Sequence, residues 1–185
     1  MPLAITFRFD PVSAAAIEEM SRTLAAAGVD VEAGYAPHLT LAIYPDSAPI
    51  NELQAAFEQS AEHCNALPVT LSGFGIFPGP PCILWAAPTV TAEMLARHAI
   101  LHAARPDLQV HAHYRPNVWV PHVTLAANVR DPGRAVSALI PLWRPVSGVL
   151  TQLDLVHFPP AAVLQSAALP PRPAQHHQRD SEHRR

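Results

Sequence analysis

Residues 37–42 read PHLTLA and residues 121–126 read PHVTLA, so the chain writes nearly the same hexapeptide twice. The copies differ only at Leu39 and Val123, and their histidines stand 84 residues apart. With 11 His among 185 residues, one His-x-Thr is an ordinary chance event. A proline in front and apolar neighbours, twice over, brings the chance expectation to well under about 1 in 1,000. The duplication therefore asks for a reason, either structural or chemical.

In a strand, residues i and i+2 share a face. His38 and Thr40 then point one way while Leu39 and Leu41 point the other, and His122 and Thr124 do the same opposite Val123 and Leu125. Each motif offers an imidazole and a hydroxyl to one surface and two aliphatic side chains to a core. Pro37 and Pro121 donate no ladder hydrogen bond, which suits the first position of a strand. Brought together, the two faces hold two imidazoles and two hydroxyls. Histidine titrates near neutrality, so one ring can be neutral while the other is charged. That is the requirement for a general base and a general acid acting together. In phosphodiester cleavage one ring removes a proton from water or a hydroxyl, and the other protonates the departing oxygen. Hydroxyls and an imidazolium can meanwhile hold the charge on the phosphoryl oxygens. A lone strand histidine is more often a structural residue than a catalyst; two copies with matched threonines reverse that preference.

Other residues carry weaker signals. His111 and His113 form His-x-His, which on a strand would put both rings on one face as in some zinc sites. No Cys or carboxylate neighbour completes a ligand set, and no metal or other cofactor is expected. His176, His177 and His183 read as part of a solvated tail. Tyr44, Tyr114 and Trp119 flank the motifs and are as well suited to packing as to stacking on a base, Trp85 still more to packing. Arg115 and Arg130 are candidate phosphate or ribose contacts.

The elements that must position these groups follow from local pattern. LAITFRF (3–9) reads as a strand. Asp10-Pro11 then supplies an N-cap and an N1 proline, Ile17, Met20 and Leu24 recur at helical spacing, and Gly28 closes the helix. HLTLAIY (38–44) is the next strand, and a helix after Pro49 carries Leu53, Phe57, Ala61 and Cys64 on one face. VTLSGFGIF (69–77) and CILWAA (82–87) read as strands joined by the turn PGPP. A third helix spans about 91–105 and stops at Pro106. QVHAHY and WVPHVTLA read as short strands, Asp131-Pro132 opens a fourth helix, and GVLTQLDLVHF (148–158) is a long last strand. From 159 the chain turns Pro/Ala-rich and then His/Arg-rich, and this tail, 159–185, is expected to be disordered. Residues 1–158 are expected to form one domain of two related lobes. Without strict β-α alternation, an antiparallel α+β fold is favoured over a doubly wound sheet.

Bulk composition narrows the partners. All 12 basic residues are Arg, and four of them fall in residues 170–185. The remaining body carries 8 Arg against 13 Asp and Glu. A duplex binder neutralises many phosphates with cations, so duplex nucleic acid is not expected as a partner, and any phosphate would be met at a local site. No signal peptide or membrane-length apolar run is apparent. Two cysteines without metal spacing suit a reducing compartment, and a cytoplasmic monomer is expected.

At PHLTLA, WVPHVTLA and the intervening GFGIFPGPPCILWAA, the chain resembles the 2H phosphoesterases, the superfamily of 2′-5′ RNA ligase and cyclic phosphodiesterase proteins. The resemblance spans about residues 3–158. It implies a bilobal fold in which two antiparallel sheets line a central cleft, with helices outside. Carried over, His38 would be the proton donor to the leaving 3′ oxygen, His122 the base that activates water, and Thr40 and Thr124 the phosphate holders. The implied reaction opens a 2′,3′-cyclic phosphate on an RNA end or small nucleotide, with 2′-5′ ligation as the reverse chemistry. RNA-processing relatives often carry Arg soon after the second motif, whereas Ala126-Ala127-Asn128 stand here. Two other readings remain beside it: a non-catalytic nucleotide-binding module, and a metallo-phosphoesterase built on His111 and His113.

Overall fold

Aliphatic and aromatic side chains with two polar interruptions commit LAITFRF to β1 (Leu3–Phe9), buried along almost its whole length. The computed structural model describes residues 1–31 and 34–172. Asp10 ends β1 and starts α1 (Pro11–Ala26), its side chain accepting from the N–H groups of Val12 and Ser13. Gly28 follows in the left-handed region at φ 77°, where a side chain would be strained. The strand β2 (His38–Tyr44) and the helix α2 (Ile50–Glu62) complete the first half. The second half holds β3 (Leu67–Phe77), β4 (Cys82–Pro88), α3 (Ala92–Ala104), β5 (Val123–Val129), α4 (Pro132–Leu139) and β6 (Val146–His157). Thr91 caps α3 through Met94 N–H, and Asp131 caps α4 through Arg134 N–H. The Asp-Pro start of α1 thus recurs at α4.

All strand pairings are antiparallel, and the strand order is β2-β1-β6-β3-β4-β5. The α+β class expected from the sequence is the one found. The two sheets are joined through β6 into one hydrogen-bonded sheet. Residues 150–157 of β6 pair with β1, while residues 146–150 pair with β3. Although β2 and β5 end the strand order on opposite sides, they touch each other. The sheet therefore brings both histidine motifs to one place. Leu39, Leu41, Val123 and Leu125, the residues between and after the motif pairs, are all buried in the core. No described helix is long and apolar enough to cross a membrane.

Two expectations change. The fold does not stop at residue 158: Ala162–Ala168 forms a further strand, β7, paired with β6 from Gln152 to His157, and Leu169 is buried. Exposed side chains on Ala162, Val163 and Leu164 give β7 no alternating pattern, and its order comes from the ladder. The remainder of the predicted tail, from 173, lies outside the described residues, as do His176, His177 and His183. QVHAHY is not a strand either. His111 N–H makes a single ladder-like bond to Ile43 O, then Ala112–Tyr114 tightens into a 3₁₀ turn, and Asn117 takes φ 70°. The 3₁₀ turn at Ala112–Tyr114 takes the backbone away from β2 after that one bond.

Candidate active site

His38 opens β2 and His122 immediately precedes β5. Their side chains are half-buried, as is Thr124, while Thr40 is 9% exposed. His38 Nδ1 lies 3.0 Å from Ala36 O, and His122 Nδ1 lies 2.8 Å from Val120 O. A carbonyl oxygen only accepts, so each Nδ1 carries the hydrogen. Each imidazole is thus oriented by the carbonyl two residues upstream, and each leaves Nε2 to meet a substrate. The motif repeats not only letters but this hydrogen bond.

The halves are tied together beside the motifs. Trp119, buried between them, donates its indole N–H to Thr40 O at 3.1 Å. Its ring stacks on His98 of α3 at 4.1 Å and 7° between planes. The His122 charge is among the lesser causes that lower the proton affinity of His38.

The surroundings of the two rings differ. Across the ladder from His38 stands Arg8, and across from Thr40 stands Thr6. Arg8 also lies opposite Gln152, and Thr6 opposite Asp154. Three neighbouring strands therefore each present two polar residues at i and i+2 on one face: His38 and Thr40, Arg8 and Thr6, Gln152 and Asp154. Asp154 is fully buried and accepts from Arg8 (3.2 Å), the Tyr35 hydroxyl (2.9 Å), Gln152 (2.7 Å) and Ser166 (2.6 Å). Four donors offset the cost of burying that carboxylate. Arg8 also lies over the Tyr35 ring at 4.7 Å, and Tyr35 packs against His38 at 4.7 Å. Burial pushes the Tyr35 phenol up to about 12, so it stays neutral.

Among the described residues His38 has one aromatic neighbour, Tyr35, whereas His122 has three. Phe77 meets it edge-on at 4.9 Å, Trp85 lies at 6.1 Å and Tyr114 at 6.3 Å. Phe77 and Trp85 stack on each other at 4.9 Å, and Trp85 stands opposite Thr124 in the β4–β5 ladder. A Cβ on Gly75 would fall inside the Trp85 indole, so only glycine leaves room for that ring. Burial lowers the affinity of both histidines for a proton. His38 is pushed down to about 4, first by burial and further by the Arg8 and His122 charges, against the Ala36 carbonyl and the Asp154 charge, which raise it, while His122 is lowered chiefly by burial.

His38, Thr40 and Thr124 are thus on strands that meet, with His122 immediately before the second of them. Arg115 and Arg130 are not with them. Arg115 lines a separate cavity of about 470 Å³ with Ile43, Tyr44 and Phe158, and Arg130 follows β5 about 20 Å beyond Thr124. Tyr44 is buried in the core at the far end of β2. The His111 and His113 rings are 5.0 Å apart, but among the described residues no three His, Cys, Asp or Glu side chains gather to hold a metal. Sequence reading missed Arg8, Tyr35, Asp154 and Phe77. Thr-x-Arg in β1 and Gln-x-Asp in β6 carry the same i, i+2 polar signal as His-x-Thr and were open to the same argument.

A family model described as the 2′-5′ RNA ligase superfamily matches residues 9–159. No curated protein sequence matches the chain. Among solved structures, Escherichia coli LigT complexed with NADP+ superposes with a TM-score of 0.61 at 20% identity, over 91% of this chain and 96% of that one. A protein described as a phosphoesterase gives 0.60 at 18% identity, over 91% and 97%. Usb1 of Kluyveromyces marxianus gives 0.53 at 14% identity, over 91% and 98%. These likenesses are likenesses of fold.

Proposed function

Because the chain belongs to the 2′-5′ RNA ligase superfamily of 2H phosphoesterases, we propose that it is a phosphodiesterase that opens 2′,3′-cyclic phosphates on RNA ends or small nucleotides. The observation that supports this reading is the matched pair of histidines, each fixed through Nδ1 to its own upstream carbonyl with Nε2 left over. One Nε2 takes a proton from water as oxygen attacks phosphorus. The other gives a proton to the ribose oxygen that departs, and the phosphate ends as a monoester. Thr40 and Thr124 supply hydroxyl donors for the phosphoryl oxygens as they gather charge. Two imidazoles suffice for both proton transfers, so the reaction is proposed to proceed without a metal. Run backwards, the same pair joins a 2′ end to a 5′ end. Structures of LigT complexed with 3′-AMP, NADP+ and ATP favour a small nucleotide as ligand, and the acidic body of the chain argues against long-strand binding.

The test is hydrolysis of nucleoside 2′,3′-cyclic monophosphates in excess chelator. Wild-type turnover is expected, with His38→Ala and His122→Ala each slower by roughly 10²–10⁴-fold. Full rate in both variants overturns the roles. Saturable binding with no turnover by the wild type points to a binding module instead.

A further inference from the structure

We infer that Ser21 and Trp119 are positioning residues for this reaction: each holds a backbone carbonyl at a β-bulge that both motifs contain, and through that bulge aims the motif threonine at the phosphate. The inference rests on the phosphodiesterase reading above and adds to it two residues outside the repeated letters. The duplication extends beyond sequence and the imidazole hydrogen bond to a break in strand register.

In the β1–β2 ladder Ile5 lies opposite Ala42 and Thr6 opposite Thr40, so Leu41 is an extra residue on β2. In the β4–β5 ladder Leu84 lies opposite Ala126 and Trp85 opposite Thr124, so Leu125 is an extra residue on β5. Leu41 and Leu125 hold the same place in PHLTLA and PHVTLA. An inserted residue bends its strand, increases the local twist and leaves backbone groups without ladder partners. Strict alternation therefore ends directly after each threonine. Leu41-Ala42 and Leu125-Ala126 are consecutive, and all four residues are buried. His-x-Thr keeps its two polar groups on one face, and the residues beyond it return to the core.

A buried bulge needs partners for the groups it frees, and side chains from outside the sheet supply them. The Ser21 hydroxyl of α1 donates to Leu125 O at 3.1 Å. A serine inside a helix can bond back to the carbonyl four residues before it; this one reaches a strand 104 residues away. At the first motif the Trp119 indole N–H donates to Thr40 O at 3.1 Å, and the His98 and His102 rings of α3 meet the Leu41 backbone. Each threonine thus has a carbonyl, its own or its neighbour's, fixed from another element. Trp119 stands on the approach to His122, so the threonine of the first motif is tied to the chain that delivers the second. Loss of either hydrogen bond removes no group that touches substrate. It lets the bulge relax and the hydroxyl drift from the phosphoryl oxygen, and a misplacement of about 1 Å can cost roughly 100-fold in rate.

Double-mutant cycles on a nucleoside 2′,3′-cyclic monophosphate test the inference. Ser21→Ala deletes the hydroxyl and keeps α1, since alanine is the better helix former. Its kcat is expected to fall roughly tenfold with KM within about twofold, the pattern of an interaction realised in the transition state. Thr124→Ala removes the group that Ser21 aims. In that background Ser21→Ala is expected to change kcat by less than about twofold, because residues that act through one group are not additive. Trp119→Phe keeps an aromatic ring against His98 but no N–H, and is expected to couple to Thr40→Ala in the same way. Circular dichroism shows whether each variant folds, and if Trp119→Phe does not, the Ser21 cycle decides. A folded Ser21→Ala or Trp119→Phe at wild-type rate overturns the inference. So does a loss confined to KM, or one that persists in full once the matching threonine is gone. A wild-type chain without turnover overturns the phosphodiesterase reading itself, a result distinct from turnover with additive losses.

Discussion

Arg8 and His38 face each other across the β1–β2 ladder, and no residue of the duplicated motif explains that pairing. A cation at this place lowers the proton affinity of His38, so removing it has a definite sign. Arg8→Gln keeps a donor for Asp154 but not the charge. The limb of kcat/KM set by His38 reports its proton affinity in the free enzyme, and burial first of all pushes that ring down to about 4. In Arg8→Gln that limb is expected to move up by about one pH unit, toward the ordinary histidine value. A limb that does not move, with the fold intact, removes Arg8 from the electrostatics of His38.

Gly75 controls the other half of the site. Its missing Cβ is the space that the Trp85 indole occupies beneath His122, whereas Gly73, two residues back on the same strand, faces open space. Gly75→Ala must displace the indole from its stack on Phe77. The expected cost is about 1–3 kcal/mol of stability, the range for an overpacked site, together with a fall in turnover of cyclic nucleotide. Gly73→Ala is the control and is expected to leave both near wild type. Urea denaturation and steady-state rates on the two variants measure the difference. Equal behaviour of the two means that the Trp85 stack does not support His122.

Much of this fold was legible because its signals are local. Asp10-Pro11 and Asp131-Pro132 mark helix starts by capping chemistry, and the apolar residues of β1, β2 and β5 declare which face is buried. The four motif residues could be placed on one face because a strand alternates strictly. What escaped was non-local. Arg8 matters through register with β2, and Asp154 through register with β1, and no spacing along the chain encodes either pairing. β7 escaped for the same reason, since its sequence shows no period and its order is borrowed from β6. QVHAHY misled in the opposite direction: its alternation suits a strand, but the segment leaves β2 after one hydrogen bond and turns.

The buried histidines also predict how the folded state responds to acid. His98 is 3% exposed, stacks on Trp119 and donates Nε2–H to Tyr114 O at 2.9 Å, with His102 Nε2 3.0 Å away. Burial, and then the His102 charge, push it down to about 4; His38, His102 and His122 are lowered as well. In the unfolded chain these rings titrate near 6.5. Between about pH 6.5 and 4, unfolding therefore takes up protons that the folded state refuses, and stability falls as pH falls through that window. Each histidine that is neutral when folded and charged when unfolded contributes about 1.4 kcal/mol per pH unit. The urea midpoint is expected to decline steadily from pH 7 to pH 4.5. His98→Gln keeps a donor for Tyr114 O but binds no proton, so its slope over this window is expected to be shallower by roughly one histidine's share. A midpoint that holds level or rises toward pH 4.5 means that these rings take up protons without opening the fold, and the Trp119 bridge to Thr40 then does not depend on a neutral His98.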